Sequence, residues 1–495
     1  MKRSVEAFRD EFDLLILGGG ISGAGVALDA ALRGLQVALI DKGDFASGTS
    51  SVSSKLVHGG LRYLEHGGFH LVYEALHERR RLLHNAPHLV HPLPFLIPFH
   101  RGARVPPWKW RAGLALYDLL AGRSNLHRSC PVRLETLRQE FPSLLPQELL
   151  GGARYFDAQM DDARLCLEVV KTAARQGARV ANYLEAVAFE KREGEIRSVR
   201  AVDRVGGADF SIRARQILNA TGPWVDAVSS LAGDATAARL RPTKGVHLVA
   251  PDRGLKTAFL LLHPADGRVF FVIPWMGRTL VGTTDTISDE TPDRLAVTPE
   301  ELDYLLAGHN RYLSPPLEKQ DVLNTFAGLR PLIRSRPGSP STLSREFQVY
   351  ASASGLLSVA GGKFTTYRRM AEVITDRIMR RLRMWRPSRT QDYLLDGAPD
   401  GSWPEFESTT PRELAQHHSI SEDAATHLVR RYGKHAVDVA SYLQQNIHLA
   451  EPVVAGEPDL RVEWVYQREH EMALFPEDHL LRRTRLGLFR PGISL

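Results

Sequence analysis

Residues 13–41 read DLLILGGGISGAGVALDAALRGLQVALID, and this stretch decides the fold. The apolar run 13–17 predicts a buried strand, a glycine-rich turn follows, and residues 22–34 predict a helix that stops near Gly34. Residues 36–40 supply a second strand. A strand–helix–strand start of this kind predicts a parallel sheet with helices on both faces, so the expected fold class is α/β.

Glycines at the first turn predict a nucleotide site. Gly18, Gly20 and Gly23 form GxGxxG, in which the glycines allow a tight turn, the approach of a pyrophosphate and close packing of the helix. Asp41 ends the second strand, where a carboxylate would accept hydrogen bonds from a ribose. NAD and FAD share this fingerprint. Because the chain has no second GxGxxG, a bound flavin would have to receive its electrons from the substrate.

Two later glycine turns favour a flavin. The run ILNATGPW places Gly222 after a strand, and LLSVAGGKFTTYR places Gly361 and Gly362 before a second helix. Backbone N–H groups at that helix N-terminus could stabilise negative charge on a reduced flavin. Each turn alone is typical of any strand-to-helix connection, but the two together indicate a flavin.

Cationic side chains beside glycine or proline indicate an anion site. Arg62, Arg330 and Lys363 all stand in turn contexts, and two or three such donors could converge on a phosphate. A solvated surface charge is the alternative for each of them. His247 begins an alternating apolar strand, so its ring faces either the site, as a base for an alcohol proton, or the core.

The composition excludes several classes of protein. The chain has 495 residues, of which 43% are hydrophobic and 24% charged, which argues against disorder and coiled coils. The net charge of +6 favours anionic partners, but no nucleic-acid motif occurs. We expect no bilayer-spanning helix, no secretory signal, and neither a disulfide nor a metal site from Cys130 and Cys166.

The pattern along the chain predicts three units. We expect a discontinuous Rossmann-like FAD-binding domain over residues 1–70, 150–240 and 345–385, with an inserted antiparallel-sheet substrate domain over 71–149 and 241–344. Six prolines between residues 87 and 107 predict a loop-rich excursion. Residues 386–412 are expected to be a linker, and residues 413–495 a helical C-terminal domain.

One helical segment is a candidate for membrane contact. In WKWRAGLALYDLLAG, Trp110, Leu114, Tyr117 and Leu120 recur at helical spacing next to basic residues, as in an interfacial amphipathic helix. A helix that faces the core shows the same stripe. Of the two, we favour the membrane interpretation.

The motifs in series resemble a known family. TSSVSSKLVHGGLRYLEH, ATGPW, VIPW followed by VGTTD, GLRPL and GGKFTTYR are together similar to the FAD-dependent glycerol-3-phosphate dehydrogenases, from about residue 12 to 385 and more loosely through LLRRTRLGL. The resemblance implies a glycine-oxidase-like FAD fold and oxidation of sn-glycerol 3-phosphate to dihydroxyacetone phosphate, with electrons passed to a membrane quinone. It also implies a homodimer in the cytoplasm, bound peripherally to the inner face of the cytoplasmic membrane.

The resemblance also assigns site residues. The positions that match FAD contacts are Gly18, Gly20, Gly23, Asp41, Thr49, Ser50, Ser53, Gly222 and Gly362. The positions that match the substrate pocket are Arg62, Tyr63, His247, Arg330 and Lys363, with His247 and Arg330 expected to be catalytic. The family often has Glu at the position of Asp41 and a small polar residue at that of Val246, so no neighbouring hydroxyl is expected to tune His247 from position 246.

Three alternatives stay open from the sequence. An oxygen-using glycerophosphate oxidase has nearly the same pattern, and an amine or amino-acid oxidase of this fold would need a carboxylate site in place of the phosphate site. A non-enzymatic module that keeps a nucleotide-binding fold would fail to bind flavin, or would hold a flavin that substrate does not bleach.

Overall fold

The computed structural model describes residues 1–233, 239–334 and 347–493. Parts of the predicted domain ranges, residues 234–238, 335–346 and 494–495, lie outside the described residues. Among the described residues, no helix combines the length and the apolar character needed to cross a membrane.

Strands and helices alternate in the first two-thirds of the chain, and helices dominate the rest. The strands are β1 (Glu11–Leu17), β2 (Val37–Ile40), β3 (Leu56–Val57), β4 (Val90–His100), β5 (Cys130–Val132), β6 (Leu149–Met160), β7 (Arg179–Ala181), β8 (Leu184–Arg192), β9 (Glu195–Asp203), β10 (Asp209–Asn219), β11 (Thr243–Pro251), β12 (Ala258–Leu262), β13 (Val269–Trp275), β14 (Arg278–Gly282), β15 (Thr286–Ile287), β16 (Asn324–Arg330), β17 (Phe347–Ala351) and β18 (Leu357–Gly361). The helices are α1 (Ile21–Leu32), α2 (Phe69–Asn85), α3 (Pro107–Ala121), α4 (Leu134–Glu140), α5 (Asp162–Arg175), α6 (Val225–Leu231), α7 (Pro299–Tyr312), α8 (Tyr367–Arg381), α9 (Trp403–His418), α10 (Glu422–Tyr432), α11 (Ala436–Ser441), α12 (Arg461–His470) and α13 (Leu486–Phe489).

The first sheet carries the nucleotide-binding pattern. Its strands lie in the order β17-β18-β10-β1-β2-β7, and the meander β8-β9-β10 extends it. β18, β10, β1, β2 and β7 are mutually parallel, so their carboxyl ends meet at one edge. α1 packs against both α5 and α8, and their apolar faces form one core with the strands. The α/β prediction, including the opening strand–helix–strand unit, is confirmed.

The second sheet is mostly antiparallel. Its strands lie in the order β15-β11-β14-β13-β12-β4-β6-β3, with β16 paired to β11 and β5 to β6. β3 and β6 belong here, although the ranges predicted for the FAD-binding domain include them. The reason is that β6 pairs with β4 along most of its length and with β3 at Leu56 and Val57.

The prediction of a loop-rich excursion after residue 86 is wrong for its first half. β4 is an 11-residue strand that contains Pro92, Pro94 and Pro98. These prolines occupy alternate positions, so the N–H groups that they lack all point to the same edge of the strand. β4 pairs with β6 over its whole length but with β12 only at Phe95 and Leu96. The prolines are therefore tolerated where few backbone donors are needed.

The apolar stripe of α3 faces inward, so its interpretation as a membrane surface is wrong. Leu114 and Tyr117 are buried, and Trp110 and Leu120 pack against the same apolar cluster. The Tyr117 hydroxyl donates to Asp157 Oδ1 at 2.7 Å. The helix therefore covers the second sheet, as the alternative interpretation of this stripe expected.

The C-terminal helices form a unit with an apolar core of their own. Leu414, Leu428, Val439 and Val462 belong to this core, which agrees with the predicted helical domain. The linker is shorter than predicted because α9 begins at Trp403. Pro404 lies in the first turn of α9, where a helix needs no N–H donor, so this proline does not prevent the helix from starting there.

Gly23 is required by a close approach of two backbones. A Cβ at this position would lie 1.9 Å from the Gly18 carbonyl oxygen. We therefore expect Gly23→Ala to lower the free energy of unfolding by about 1–3 kcal/mol or more and to reduce the FAD content. Gly113→Ala on α3, where a Cβ would meet no atom of the part of the chain that the structure describes within 4 Å, is the matched control and should be neutral or stabilising. Thermal melts with absorbance at the flavin band give both quantities, and equal melting of Gly23→Ala and wild type would contradict this account.

Candidate active site

A cavity of about 490 Å³ opens at the carboxyl edge of the first sheet. It lies where the turns after β1, β2, β10 and β18 meet, as parallel strands require. The predicted residues that line it are Gly18, Gly20, Asp41, Thr49, Ser50, Ser53, Gly222, Gly362 and Lys363. Gly23 lies outside the lining, and its role is the close packing of α1.

The lining of this cavity fits a dinucleotide. Gly20 caps the N-terminus of α1, whose first N–H groups and dipole favour a pyrophosphate. A Cβ at Gly222 would meet no atom of the described residues within 4 Å, so the backbone there leaves room for a cofactor. Asp41 accepts hydrogen bonds from Gly19 N at 2.6 Å and Gly43 N at 2.9 Å. Burial raises the pKa of Asp41 to about 6 against the effect of these bonds.

Lys42 and Trp224 also line the cavity, and sequence reasoning missed both. Trp224 Nε1 donates to Asp293 at 2.8 Å, and Lys42 Nζ lies 2.9 Å from the same carboxylate and 4.5 Å from the indole ring. The signal for Trp224 was present, because it ends the ATGPW motif that was used only for Gly222. Asp293 gave no local signal, since its partners lie far away in the chain.

His247 is buried between two neighbouring strands. Its side chain is only 2% exposed, and in the register of β11 it lies opposite Gly282 of β14 and Phe326 of β16. The imidazole stacks on Phe326 at 4.9 Å. Burial, together with the nearby cations Arg330 and Lys55, lowers the pKa of His247 to about 3. The ring is therefore neutral at physiological pH.

A hydroxyl does contact His247, although not from position 246. Ser54 Oγ lies 2.8 Å from His247 Nε2, whereas Nδ1 has no hydrogen-bond partner among the described residues. Sequence reasoning looked for this hydroxyl next to the histidine and missed Ser54, which lies 193 residues away in the chain. Its place in the TSSVSSK motif, directly after Ser53, was the available signal.

The guanidinium of Arg330, which ends β16, lies over the same face of β11 as the His247 side chain. A Cβ at Gly245 would lie 2.3 Å from an Arg330 terminal nitrogen, so the guanidinium crosses β11 over this glycine. Residues 245 and 247 point to the same face, about 7 Å apart along the strand. The guanidinium donates to Thr283 Oγ1 at 2.8 Å and pairs with Asp285 at 3.0 Å, and its side chain is 25% exposed.

The segment 49–57 covers this face. Thr49 Oγ1 donates to Leu329 O at 2.7 Å, and a Cβ at Gly328 would lie 2.6 Å from the Val52 side chain. Because Thr49, Ser50 and Ser53 also line the cavity, the segment separates it from β11 and β16 by one layer of chain. His247 and Arg330 therefore adjoin the cavity without lining it.

Lys363, which lines the cavity, contacts Tyr63. Lys363 Nζ lies 3.9 Å from the centre of the Tyr63 ring, a cation–π distance. Arg62 is half-buried in the same short 3₁₀ turn, Leu61–His66. The structure thus brings together two of the predicted substrate residues, Tyr63 and Lys363, and brings together His247 and Arg330 as a second pair.

Two further clusters have ligand-type side chains but already hold cations. Among the described residues, these are Glu168, Asp396 and His435, and His427, Asp459 and Glu463. Arg431 pairs with both Asp459 and Glu463, and Lys171 pairs with Glu168. These contacts explain the carboxylates without a metal.

The fold and the cavity define a FAD-dependent oxidoreductase. The profile of the family described as "FAD dependent oxidoreductase" matches residues 13–376, and that of the "C-terminal domain of alpha-glycerophosphate oxidase" matches residues 388–493. The cofactor of this chain is accordingly FAD, which the lining residues fit.

Individual relatives narrow the class. The aerobic glycerol-3-phosphate dehydrogenase of Staphylococcus aureus is 37% identical over 488 residues, covering 96% of this chain and 87% of the relative. The glycerol-3-phosphate dehydrogenase of Bacillus halodurans complexed with FAD superposes with a TM-score of 0.82 at 32% identity, covering 98% of this chain and 88% of that one. The chain belongs to the FAD-dependent glycerol-3-phosphate dehydrogenase family.

More distant structures share the fold alone. Glycine oxidase from Geobacillus kaustophilus superposes with a TM-score of 0.57 at 18% identity, covering 78% of this chain and 98% of that one. This likeness confirms the predicted glycine-oxidase-like fold.

The raised pKa of Asp41 predicts how FAD binding depends on pH. Below about pH 6 the Asp41 carboxyl holds a proton and loses an acceptor for ribose hydroxyls. We expect the Kd of the apoprotein for FAD to rise up to about tenfold per pH unit below that value and to level off above it. Asp41→Asn, which cannot ionise, should bind FAD more weakly with a flat profile. Fluorescence titration between pH 5 and 8 measures this, and parallel profiles for the two proteins would exclude Asp41 as the titrating group.

Proposed function

We propose that this protein oxidises sn-glycerol 3-phosphate to dihydroxyacetone phosphate. The observation that carries the proposal is the placement of His247 and Arg330 on one face of β11, next to the FAD cavity that Lys363 lines. A neutral base and fixed cations within reach of one ligand are what a phosphorylated alcohol requires. The names of the S. aureus and B. halodurans relatives agree with this substrate.

In the proposed reaction, the chain positions the alcohol and removes one proton. His247, whose ring is unprotonated at neutral pH, is proposed to take the proton of the carbon-2 hydroxyl. When bound, FAD supplies the redox chemistry by accepting the hydride from carbon 2. The remaining contribution of the protein is to hold these atoms in line and exclude water.

Arg330, Lys363 and Arg62 are proposed to hold the phosphate. Arg330 is held by Thr283 and Asp285 in a fixed orientation, which lowers the entropy lost when the guanidinium grips an anion. The partial exposure of the Arg330 side chain keeps it accessible to the phosphate. Lys363 stacks on Tyr63, so it too is restrained before substrate arrives.

The electron acceptor is proposed to be a membrane quinone, with the protein on the inner face of the cytoplasmic membrane. The support is a second face of α3, opposite the buried stripe, where Trp108 is 70% and Leu119 is 75% exposed. Arg111 lies on this face too, as an interfacial helix requires. The homodimer that the resemblance implies stays a prediction.

Oxygen is the second candidate acceptor, since the profile over residues 388–493 is named after an alpha-glycerophosphate oxidase. Measuring oxygen uptake and peroxide with glycerol 3-phosphate, with and without a soluble quinone, separates the two. Rapid peroxide release without quinone would show that oxygen, and not quinone, is the electron acceptor.

Arg330→Ala tests the phosphate assignment. Losing a charge-assisted contact should lower kcat/KM for glycerol 3-phosphate by about 10- to 150-fold while FAD stays bound. Any activity on glycerol, which lacks the phosphate, should change far less. Arg197→Ala removes an exposed cation paired with Glu195 and is the control. Steady-state kinetics on both substrates decide, and equal loss on the two would remove Arg330 from phosphate binding.

The exposed face of α3 gives a membrane prediction. Trp108→Ser with Leu119→Ser removes two large apolar side chains, so binding to anionic vesicles should weaken at least about tenfold. Val437→Ser, at an exposed position of α11, should bind like wild type. Co-sedimentation at low salt measures this, and undiminished pelleting of the double variant would place the membrane contact elsewhere.

A further inference from the structure

The C-terminal segment, residues 478–485, carries three buried arginines into the part of the chain that forms the FAD cavity. It begins with a single π-helical turn, Asp478–Arg483. Arg482, Arg483 and Arg485 are all buried, and a buried charge is costly unless it is paired. Each of the three pairs with a carboxylate that lies outside the C-terminal domain.

Asp44 is the partner of the first two arginines. Its carboxylate accepts hydrogen bonds from Arg482 Nε at 2.6 Å and from the two terminal nitrogens of Arg483 at 2.8 and 3.0 Å. Asn182 Nδ2 donates to the same carboxylate at 3.0 Å. Burial alone would raise the pKa of Asp44, but Arg483 and Arg482 lower it, so the group is ionised. A bidentate contact of this kind fixes the orientation of a carboxylate as well as its position.

Asp44 belongs to the loop that forms one wall of the FAD cavity. This loop follows β2, and its residues Asp41, Lys42, Ser47 and Gly48 line the cavity. Asp44 is not among the described lining residues, and its side chain contacts the C-terminal segment instead. The arginines therefore hold the loop from the side away from the cavity, while other residues of the loop face the cofactor.

A second wall of the cavity is held from the same segment. Arg485 donates to Asp161 Oδ1 at 2.6 Å and also pairs with Asp162. Asp162 in turn accepts from the backbone N of Ser53 at 3.0 Å and from Ser53 Oγ at 2.7 Å. Ser53 lines the cavity. Two parts of the lining are thus tied to one short stretch of the C-terminal domain.

We propose that Arg482 and Arg483 are positioning residues for the cofactor, which hold the loop after β2 in the shape that receives FAD. Docking of the C-terminal segment and binding of FAD are then coupled, and each strengthens the other by the same factor. The C-terminal domain therefore helps to build the cofactor site. This coupling involves FAD alone, whichever alcohol the protein oxidises.

The charges around Asp41 give this role an electrostatic signature. Burial raises the pKa of Asp41 most, Asp44 raises it further and Lys42 lowers it. Cys166 on α5 also interacts with Asp41, but burial raises the pKa of its thiol, which is uncharged at neutral pH. The two arginines on Asp44 cancel part of the effect of that carboxylate. Replacing an arginine should therefore raise the pKa of Asp41, and replacing the Asp44 carboxylate should lower it.

Hydrogen exchange of the wild-type protein, with and without FAD, tests the coupling. We expect FAD to slow the exchange of backbone amides in residues 478–485 about 5- to 150-fold. Exchange in α10 should change less than about twofold, because α10 packs in the separate core of the C-terminal domain. Equal rates in residues 478–485 with and without FAD would overturn the proposal. Equal slowing of α10 would overturn it too, since that result reports stabilisation of the whole chain.

Arg483→Gln tests the arginine itself. The Kd of the apoprotein for FAD should rise about 5- to 150-fold, and the pH below which binding weakens should lie above the wild-type value. Asp44→Asn should also bind FAD more weakly, but with this pH shifted downward. Arg430→Gln breaks an ion pair with Glu407 inside the C-terminal domain, so it is the matched control and should bind FAD like wild type.

Fluorescence titration of the four proteins with FAD across the pH range measures these constants. An unchanged Kd in a folded Arg483→Gln variant would exclude the positioning role. A rise in Kd that is equal at every pH would also exclude it, because a merely loosened fold has no reason to shift the titration of Asp41. If Arg483→Gln fails to fold, the exchange experiment on wild type still decides.

Discussion

The carboxylate of Asp162 is fully buried and must be neutralised, and the arrangement of the site depends on this requirement. Although burial alone would raise it, Lys55 and Arg485 lower the pKa of Asp162. The three charges come from the start of α5, from the segment 49–57 and from the C-terminal segment. A buried ion pair adds little net stability, but removing one partner typically costs about 3–5 kcal/mol. The cluster therefore fixes how these three parts of the chain meet, more than it stabilises any one of them.

Differences in burial determine which side chains of the site are neutral and which are charged. His247 is buried, forms no ion pair with a described residue and stays neutral, while Arg330 is partly exposed and paired, so it stays charged. Burial lowers the pKa of Lys55 to about 8, and Asp162 opposes that shift. At neutral pH the chain thus offers a neutral base and charged anion-binding groups side by side, as a phosphorylated alcohol needs. A surface cluster of basic residues would provide only the charged groups.

The sequence predicted what depends on neighbouring residues. The opening strand–turn–helix, Asp41 at the end of β2 and the glycine turns after β10 and β18 follow from local patterns, and the structure brings them to one cavity. Contacts between distant segments left no such pattern. Ser54 beside His247 and Asp293 beside Trp224 depend on how two sheets meet, which no spacing encodes.

Long-range pairing also overrode two local signals. Prolines predict loops, yet the pairing of β4 with β6 makes a strand of residues 90–100 because the prolines share one edge. The stripe of α3 fits a membrane or a core equally well by periodicity. Only the packing of Leu114 and Tyr117 onto the second sheet distinguishes the two.

The central claim is that the FAD cavity and the cationic alcohol site adjoin, so that a bound phosphorylated alcohol reduces the flavin directly. Anaerobic titration of the FAD-loaded protein with glycerol 3-phosphate, followed at the visible flavin band, tests this most directly. The account predicts loss of the band in proportion to the added substrate, with dihydroxyacetone phosphate formed in equal amount. A flavin that keeps its colour at saturating glycerol 3-phosphate, but is bleached by dithionite, would contradict it.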